Sequence, residues 1–351
     1  MSRESNVDGR SRVEGSRLAG RRPSLGRRFA GFLGSWESLI FILFLLVVSA
    51  NSLISPIFLD PANLFDATLN FTEKAIIAMP MIFVIILGDI DISVASIIAL
   101  CSLFIGMAGA NGVPTPFLVA IGLGVGLLAG LFNGFLITKF DLPAIAVTLG
   151  TMSLYRGIPN AVLGDQAYTK FPADFGFLGQ GYAIANIVPL ELLVFLGIAV
   201  VAAVVLNFTI AGRYSYAIGN NKTAAKFSGV PVARVRMAAF AATGLCSGVS
   251  AILLTSRIGS TNPNIAMGWE LEVITMVVLG GVAITGGKGN VLGVIIAAFL
   301  LGFMRFGLAV VNVQGAIMNI ITGALLVVAI LLPKAIERRG IGRSASVSRN
   351  P

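Results

Sequence analysis

Ten apolar blocks alternate with short polar breaks along this chain. They cover residues 36–53, 67–87, 92–110, 117–138, 145–163, 187–208, 237–256, 267–284, 291–311 and 316–332. A helix crosses a bilayer with roughly 20 residues, each rising about 1.5 Å, and the blocks approach or meet that length. The pattern predicts an all-α fold, a polytopic membrane helical bundle of about ten transmembrane helices. Pro80 lies inside the second block and is expected to kink that helix or open its hydrogen-bond ladder. The fourth block carries Gly122, Gly126, Gly130 and Gly134, each four apart. Such a ridge lets a second helix approach closely, because lipid supplies no hydrophobic drive and packing must hold helices together.

Two of the breaks are rich in glycine. The second block ends in Gly88-Asp89-Ile90-Asp91-Ile92-Ser93, and the eighth ends at Gly280-Gly281, followed by Gly286-Gly287-Lys288-Gly289-Asn290. Each follows a Leu-Gly pair (Leu87-Gly88, Leu279-Gly280) and precedes another long apolar run. Helices broken in corresponding parts of two halves point to a substrate path, where open backbone groups can face water. Asp89 and Asp91 then have two readings. Either they lie in the turn, with Asp91 capping the third helix, or they border a wet cavity and bind sugar hydroxyls or protons. Asn70, Asn133 and Asn160 are further polar candidates for that path.

The longest interior polar segment is an island at 212–236, GRYSYAIGNNKTAAKFSGVPVARVR. Its cations Arg213, Lys222, Lys226, Arg234 and Arg236 meet no carboxylate within the island. Asn220 or Asn221 can cap a short helix over about residues 222–228, stopped by Gly229 and Pro231. A helix this short is marginal in water unless something packs on it. Phe227 and Ala224 supply an apolar knob and the lysines complement an acidic surface, so the island reads as a docking surface for a cytosolic partner. A helix lying on anionic headgroups is the alternative.

Charge orients the bundle. With the N-terminus in the cytosol, ten spans place the island and the C-terminus there too. Twenty of the 25 Lys and Arg then face the cytosol, as the positive-inside bias requires. The Arg-rich start, the apolar run 39–48 and Ser49-Ala50 have the look of a signal peptide. Cleavage there would leave nine spans and put the basic termini on opposite sides, against that charge distribution. The cations are placed to face the cytosol and its membrane surface, and nucleic acid is not an expected partner.

Composition excludes much chemistry. Apolar residues make up 56% of the 351 and charged residues only 12%, about half the share in soluble domains. Without histidine, His-based catalysis, zinc–histidine sites and haem–histidine ligation are excluded. Both cysteines, Cys101 and Cys246, fall inside apolar blocks and read as buried filler. No metal-spaced cluster and no nucleophile–base pair stands out, so neither metal nor cofactor is expected. The stretch 281–288 fails as a phosphate-binding loop: Val282 replaces its leading glycine and Gly289 its closing hydroxyl residue. The chain is not expected to hydrolyse ATP, or to be an enzyme.

Three ordered blocks carry a family resemblance. They are 88–94 (GDIDISV); Gly212-Arg213-Tyr214 with Ala217-Ile218-Gly219-Asn220-Asn221, Ala224-Ala225 and Ser228-Gly229; and Asn262-Pro263 through Glu270-Leu271, 277–281 (VVLGG) and 286–289 (GGKG) to Leu292-Gly293. Across about residues 54–332 the chain resembles the ribose-type family of bacterial ABC sugar-importer permeases. That family often has glycine where Asp89 and Ala95 stand here. The resemblance implies a subunit of the bacterial inner (plasma) membrane, with both termini cytosolic. It pairs with a second permease as a homo- or heterodimer, with a cytosolic ATP-binding cassette ATPase below and a periplasmic sugar-binding protein delivering a monosaccharide from above. It assigns the ATPase-coupling segment to 217–229, in particular Ala217, Gly219, Asn221, Ala224, Ala225, Phe227, Ser228 and Gly229. Around the transmembrane permease domain at 36–333, composition predicts a disordered basic tail at 1–35, rich in Arg, Ser and Gly, and a basic tail of the same kind at 334–351. The main rival is an ion- or proton-coupled secondary transporter of a small polar solute, using Asp89, Asp91, Glu272 and Arg305.

Overall fold

The computed structural model describes residues 36–54, 58–184 and 186–347, and side-chain surroundings up to residue 331. The N-terminal tail at 1–35, with its signal-like start, and the last residues, 348–351, lie outside the described residues. Fourteen helices follow one another among the described residues. They are α1 (Trp36–Ile54), α2 (Pro61–Thr68), α3 (Thr72–Ile86), α4 (Val94–Ala110), α5 (Thr115–Lys139), α6 (Ala144–Leu163) and α7 (Phe177–Gln180). Then come α8 (Leu190–Phe208), α9 (Ile210–Asn220), α10 (Lys222–Phe227), α11 (Val232–Ile258), α12 (Trp269–Leu279), α13 (Val291–Val310) and α14 (Gly315–Val347). No strand occurs among them, only an isolated antiparallel bridge between Tyr182 and Pro189. The fold is an all-helical polytopic membrane bundle.

Each apolar block overlaps a helix, but the helices differ in reach. Five (α1, α5, α8, α11 and α13) are long and apolar enough to cross a membrane, and α2 with α3 makes a sixth if the bent pair is one span. Helix α4 and the 315–331 part of α14 are shorter apolar helices. Helix α12 has only 11 residues, about 16 Å, or half the hydrocarbon thickness. The expected span at 267–284 is therefore corrected to a half-length helix. It starts after Gly268 at φ +84° and stops at Gly280-Gly281.

The second block is corrected as well. Its chain bends by 52° between α2 and α3, while Pro80 stays inside the continuous helix α3. Thr68 and Thr72 explain part of this: their hydroxyls bond the Phe65 and Thr68 carbonyls, so side chains serve backbone groups at the bend. At the other end of the chain, α14 continues through Val347, past the expected limit of the last span at 332. The run Ala335-Ile336-Glu337-Arg338-Arg339 consists mostly of strong helix formers, which favours that continuation.

Helix α3 is the axis of the bundle. All its residues but Phe83 are buried, against α8, α11, α12 and α13. A helix apolar on every side needs such a sheath. The most extensive pairing is between α5 and α11, and there the glycine ridge does what its spacing predicts. Gly126 meets the backbone of Gly244 and Gly248, and Gly130 that of Phe240 and Gly244. The answering pair Gly244 and Gly248, also four apart on α11, is a feature the sequence reading did not single out.

A Cβ at Gly130 would run into the Phe240 carbonyl oxygen, whereas Gly124 on the same helix has open space around it. Gly130→Leu is expected to destabilise the bundle by about 1–3 kcal/mol through overpacking. Gly124→Leu is expected to be near neutral. Thermal unfolding of the purified variants in detergent checks both.

Candidate functional site

The island folds into two helices, α9 and α10. Asn221 caps α10, its Oδ1 accepting the Ala224 N–H at 2.9 Å. Of the two asparagines expected to cap, Asn221 does so. Asn220 instead donates to the Tyr216 carbonyl at 2.8 Å. Gly229, at φ +81°, ends the helix, and the Val230 N–H returns to the Ala225 carbonyl. This return is the glycine stop that releases a helix into a new direction. Ala225 faces inward, whereas Ala224 and Ser228 are exposed and Phe227 is 88% exposed. Phe227 therefore projects from a helix capped at both ends.

Helix α9, a helix the sequence reading did not separate, docks this projection onto the bundle. Gly219 lies against the Ile86 carbonyl at the end of α3 and against Gly287, and any side chain there would collide with both. The Gly287 N–H donates to that same Ile86 carbonyl at 2.9 Å. Gly286 and Gly287 both have positive φ, +85° and +74°, which L side chains rarely adopt. The Tyr216 hydroxyl donates to the Gly289 carbonyl at 2.8 Å. The two glycine breaks noted in the sequence thus meet, and α9 covers their junction. Ala217 is exposed on this helix.

Charge ties the same end together. Arg236, at the start of α11, grips Asp89 with two hydrogen bonds, Nε to Oδ2 at 2.7 Å and Nη2 to Oδ1 at 2.8 Å. Arg236 Nη1 is 3.8 Å from Asp141 in the α5–α6 loop, and Lys222 of α10 reaches Asp141 at 2.9 Å. The hydrogen bond and charge of Lys222 hold the Asp141 carboxyl below the usual carboxylate range, helped by Arg236 and Lys226. An ion chain therefore runs from α10 to the break after α3. No acid within the island meets its cations, and the partner acids come from elsewhere in the chain. Asp141, an acid in a short loop between two spans, was the available signal.

Beneath this chain is a second polar group. Asp91 Oδ1 accepts from the Ser93 N–H and Oγ, and Oδ2 accepts from Thr243 Oγ1. Asn133 Nδ2 donates to Ser93 Oγ at 2.8 Å, and the Tyr155 hydroxyl is shared between Asn133 and the Ala129 carbonyl. Asp91 and Asn133 have no solvent exposure. The N-cap of α4 is Ser93 and not Asp91, which corrects the capping reading: Asp91 acts two residues earlier, holding the turn that leads into the helix. Asn70 and Asn160 are exposed, and among the described residues their side chains donate to local carbonyls, at Ala67 and Arg156. Of the polar path candidates, the structure gathers Asp91 and Asn133 with Ser93, Thr243 and Tyr155, and leaves Asn70 and Asn160 apart.

Removing one partner of a nearly buried ion pair leaves an uncompensated charge. Arg236→Gln is accordingly expected to cost about 3–5 kcal/mol, read by thermal unfolding. The double variant with Asp89→Asn is expected to recover part of that loss, and a purely additive result in the mutant cycle would count against the pairing.

These contacts join α10, α9, both glycine breaks and the start of α11 into one connected group. A family model described as the branched-chain amino acid transport system / permease component matches residues 63–330. The autoinducer 2 import system permease protein LsrD of Escherichia coli K12 is 34% identical over 318 residues, 90% of this chain and 93% of that protein. LsrD of Shigella flexneri and of Escherichia coli O157:H7 match to the same extent. No solved structure matches. The match spans most of the chain and takes in both glycine breaks and the island, and this chain belongs to that family of ABC-importer permeases, the non-enzymatic membrane components of their transport systems.

Proposed function

We propose that this chain imports a sugar-like solute across the bacterial inner membrane, and that α9–α10 is the lever through which a cytosolic ATPase moves the bundle. The observation that carries the reading is Phe227: a large apolar side chain, 88% exposed, on a doubly capped helix that follows directly on α9, which is fixed to both helix breaks. A mobile loop would absorb a push, whereas a helix docked by Gly219 and Tyr216 passes it to α3 and to the 286–289 turn. ATP-driven closure of the partner then switches the permease between outward- and inward-facing states. The charge distribution supports cytosolic termini. Family membership supports an ATPase and a binding-protein partner. A second permease, identical or different, completes the pathway.

The name of LsrD specifies autoinducer 2, and the motif resemblance specifies monosaccharides of the ribose-like pentose or hexose kind. Both support a small polar, sugar-like cargo. Coupling to ions through the acids singled out in the sequence is less well supported, because each has an internal partner. Asp89 holds Arg236, Asp91 holds Ser93 and Thr243, and Glu272 holds Lys74 and Arg305 at 2.8 and 3.0 Å.

Phe227→Ala is expected to lower ATP-dependent uptake about tenfold or more, as loss of an interface anchor does, with membrane insertion unchanged. Replacing 224–228 by Gly-Ser residues is expected to abolish uptake. Uptake that persists in ATP-depleted cells with an intact proton gradient would overturn the reading.

A further inference from the structure

At the end of the bundle opposite α9–α10, Glu73, Glu191 and Arg257 come together. Glu73 opens α3, Glu191 opens α8 and Arg257 closes α11. Arg257 grips Glu73 Oε1 with Nε at 2.8 Å and Nη2 at 2.7 Å, while its Nε is 3.8 Å from Glu191 Oε1. Glu73 and Glu191 are 0% and 1% exposed. Glu73 Oε2 and both carboxylate oxygens of Glu191 have no hydrogen-bond partner among the described residues.

Formal charge leaves this cluster one positive charge short. The neighbouring cation on α3, Lys74, points the other way, to Glu272, which also takes Arg305 of α13. From α7, Gln180 contributes only an uncharged amide, which donates to the Arg257 carbonyl. Buried carboxylate oxygens without partners are costly, and a paired charge is tolerated where a lone one is not. We propose that Glu191 and Glu73 form a site for one small cation, taken up as a monovalent metal ion or as a proton, beside the Arg257 guanidinium. The Arg257 side chain keeps 28% exposure and marks the way in. Occupancy joins α3, α8 and α11 at the end of the axis helix remote from the lever. The site does not depend on the coupling role proposed for α9–α10.

The test is thermal unfolding of the full-length chain in zwitterionic nanodiscs, followed by tryptophan fluorescence. At about pH 8 and constant ionic strength, choline is exchanged for sodium or potassium; a further choline sample is taken to about pH 6. The wild type is expected to gain about 5 °C in at least one of these exchanges. A gain with sodium or potassium identifies a metal ion, and a gain only on acidification identifies a proton. Glu191→Gln is expected to unfold above the wild type in choline at the higher pH and to lose the response. Glu73→Gln, which frees Arg257 to balance Glu191, is expected to lose it too and carries the comparison if the first variant does not fold. Taking the difference between wild type and variant cancels titration elsewhere. A flat wild type, or a variant that keeps the full response, overturns the site.

Discussion

Backbone groups opened by a helix break and buried in the protein must find partners within it. This constraint shapes the end of the bundle that carries α9 and α10. After α3 stops, the Gly88 and Asp89 N–H groups return to the Ile85 and Val84 carbonyls, and the Ile86 carbonyl takes the Gly287 N–H. The second break closes on itself through the Ala283 N–H and the Lys288 carbonyl. The two breaks are thus joined by a hydrogen bond, and glycine is the residue type at 219 that lets α9 press against both.

Charge pairs are used differently at the two ends of α3. Near α9 and α10, Lys222, Asp141, Arg236 and Asp89 form a chain whose outer link, Lys222 with Asp141, is exposed and whose inner link, Arg236 with Asp89, is nearly buried. Its weak outer link can be lost cheaply, since exposed pairs contribute little, while its inner link holds firmly. At the far end two separate groups flank α3, Lys74 with Glu272 and Arg305 on one side, Glu73 with Arg257 and Glu191 on the other. Lys74 also lies over the Trp269 ring, 4.8 Å from its centroid. By formal charge the first group has one positive charge in excess, whereas the second is one short and leaves carboxylate oxygens without a partner among the described residues.

The glycine ridge, the capped helix at Asn221 and the glycine breaks were legible in the sequence because each is a local signal: a four-residue spacing, a cap type, a turn residue. The bend between α2 and α3 and the short reach of α12 were not. At α12 the apolar run continues through Gly280-Gly281, so hydropathy alone reads one span, and at the α2–α3 bend the polar stretch from Asn70 to Lys74 is too short to separate two blocks. The residues that complete the polar groups were also hidden. Asp89 meets Arg236 across 147 positions and Asp91 meets Thr243 across 152, distances at which no spacing rule operates. Glu73 and Glu191 were hidden because each lies in the first turn of an apolar helix, where an acid is an ordinary helix-start residue.

By itself, then, the chain's alternation of apolar blocks and polar breaks determined a helical membrane bundle, and its ordered motifs determined the family, because bilayer thickness and backbone hydrogen bonding leave little choice of element. Tertiary packing alone decided which ionisable groups neutralise each other, which oxygens stay without a partner, and that α9 seals the two breaks. The reason is physical: charge compensation in a dry interior is set by which helices lie within a few ångströms, and adjacency in space is not written in adjacency along the chain.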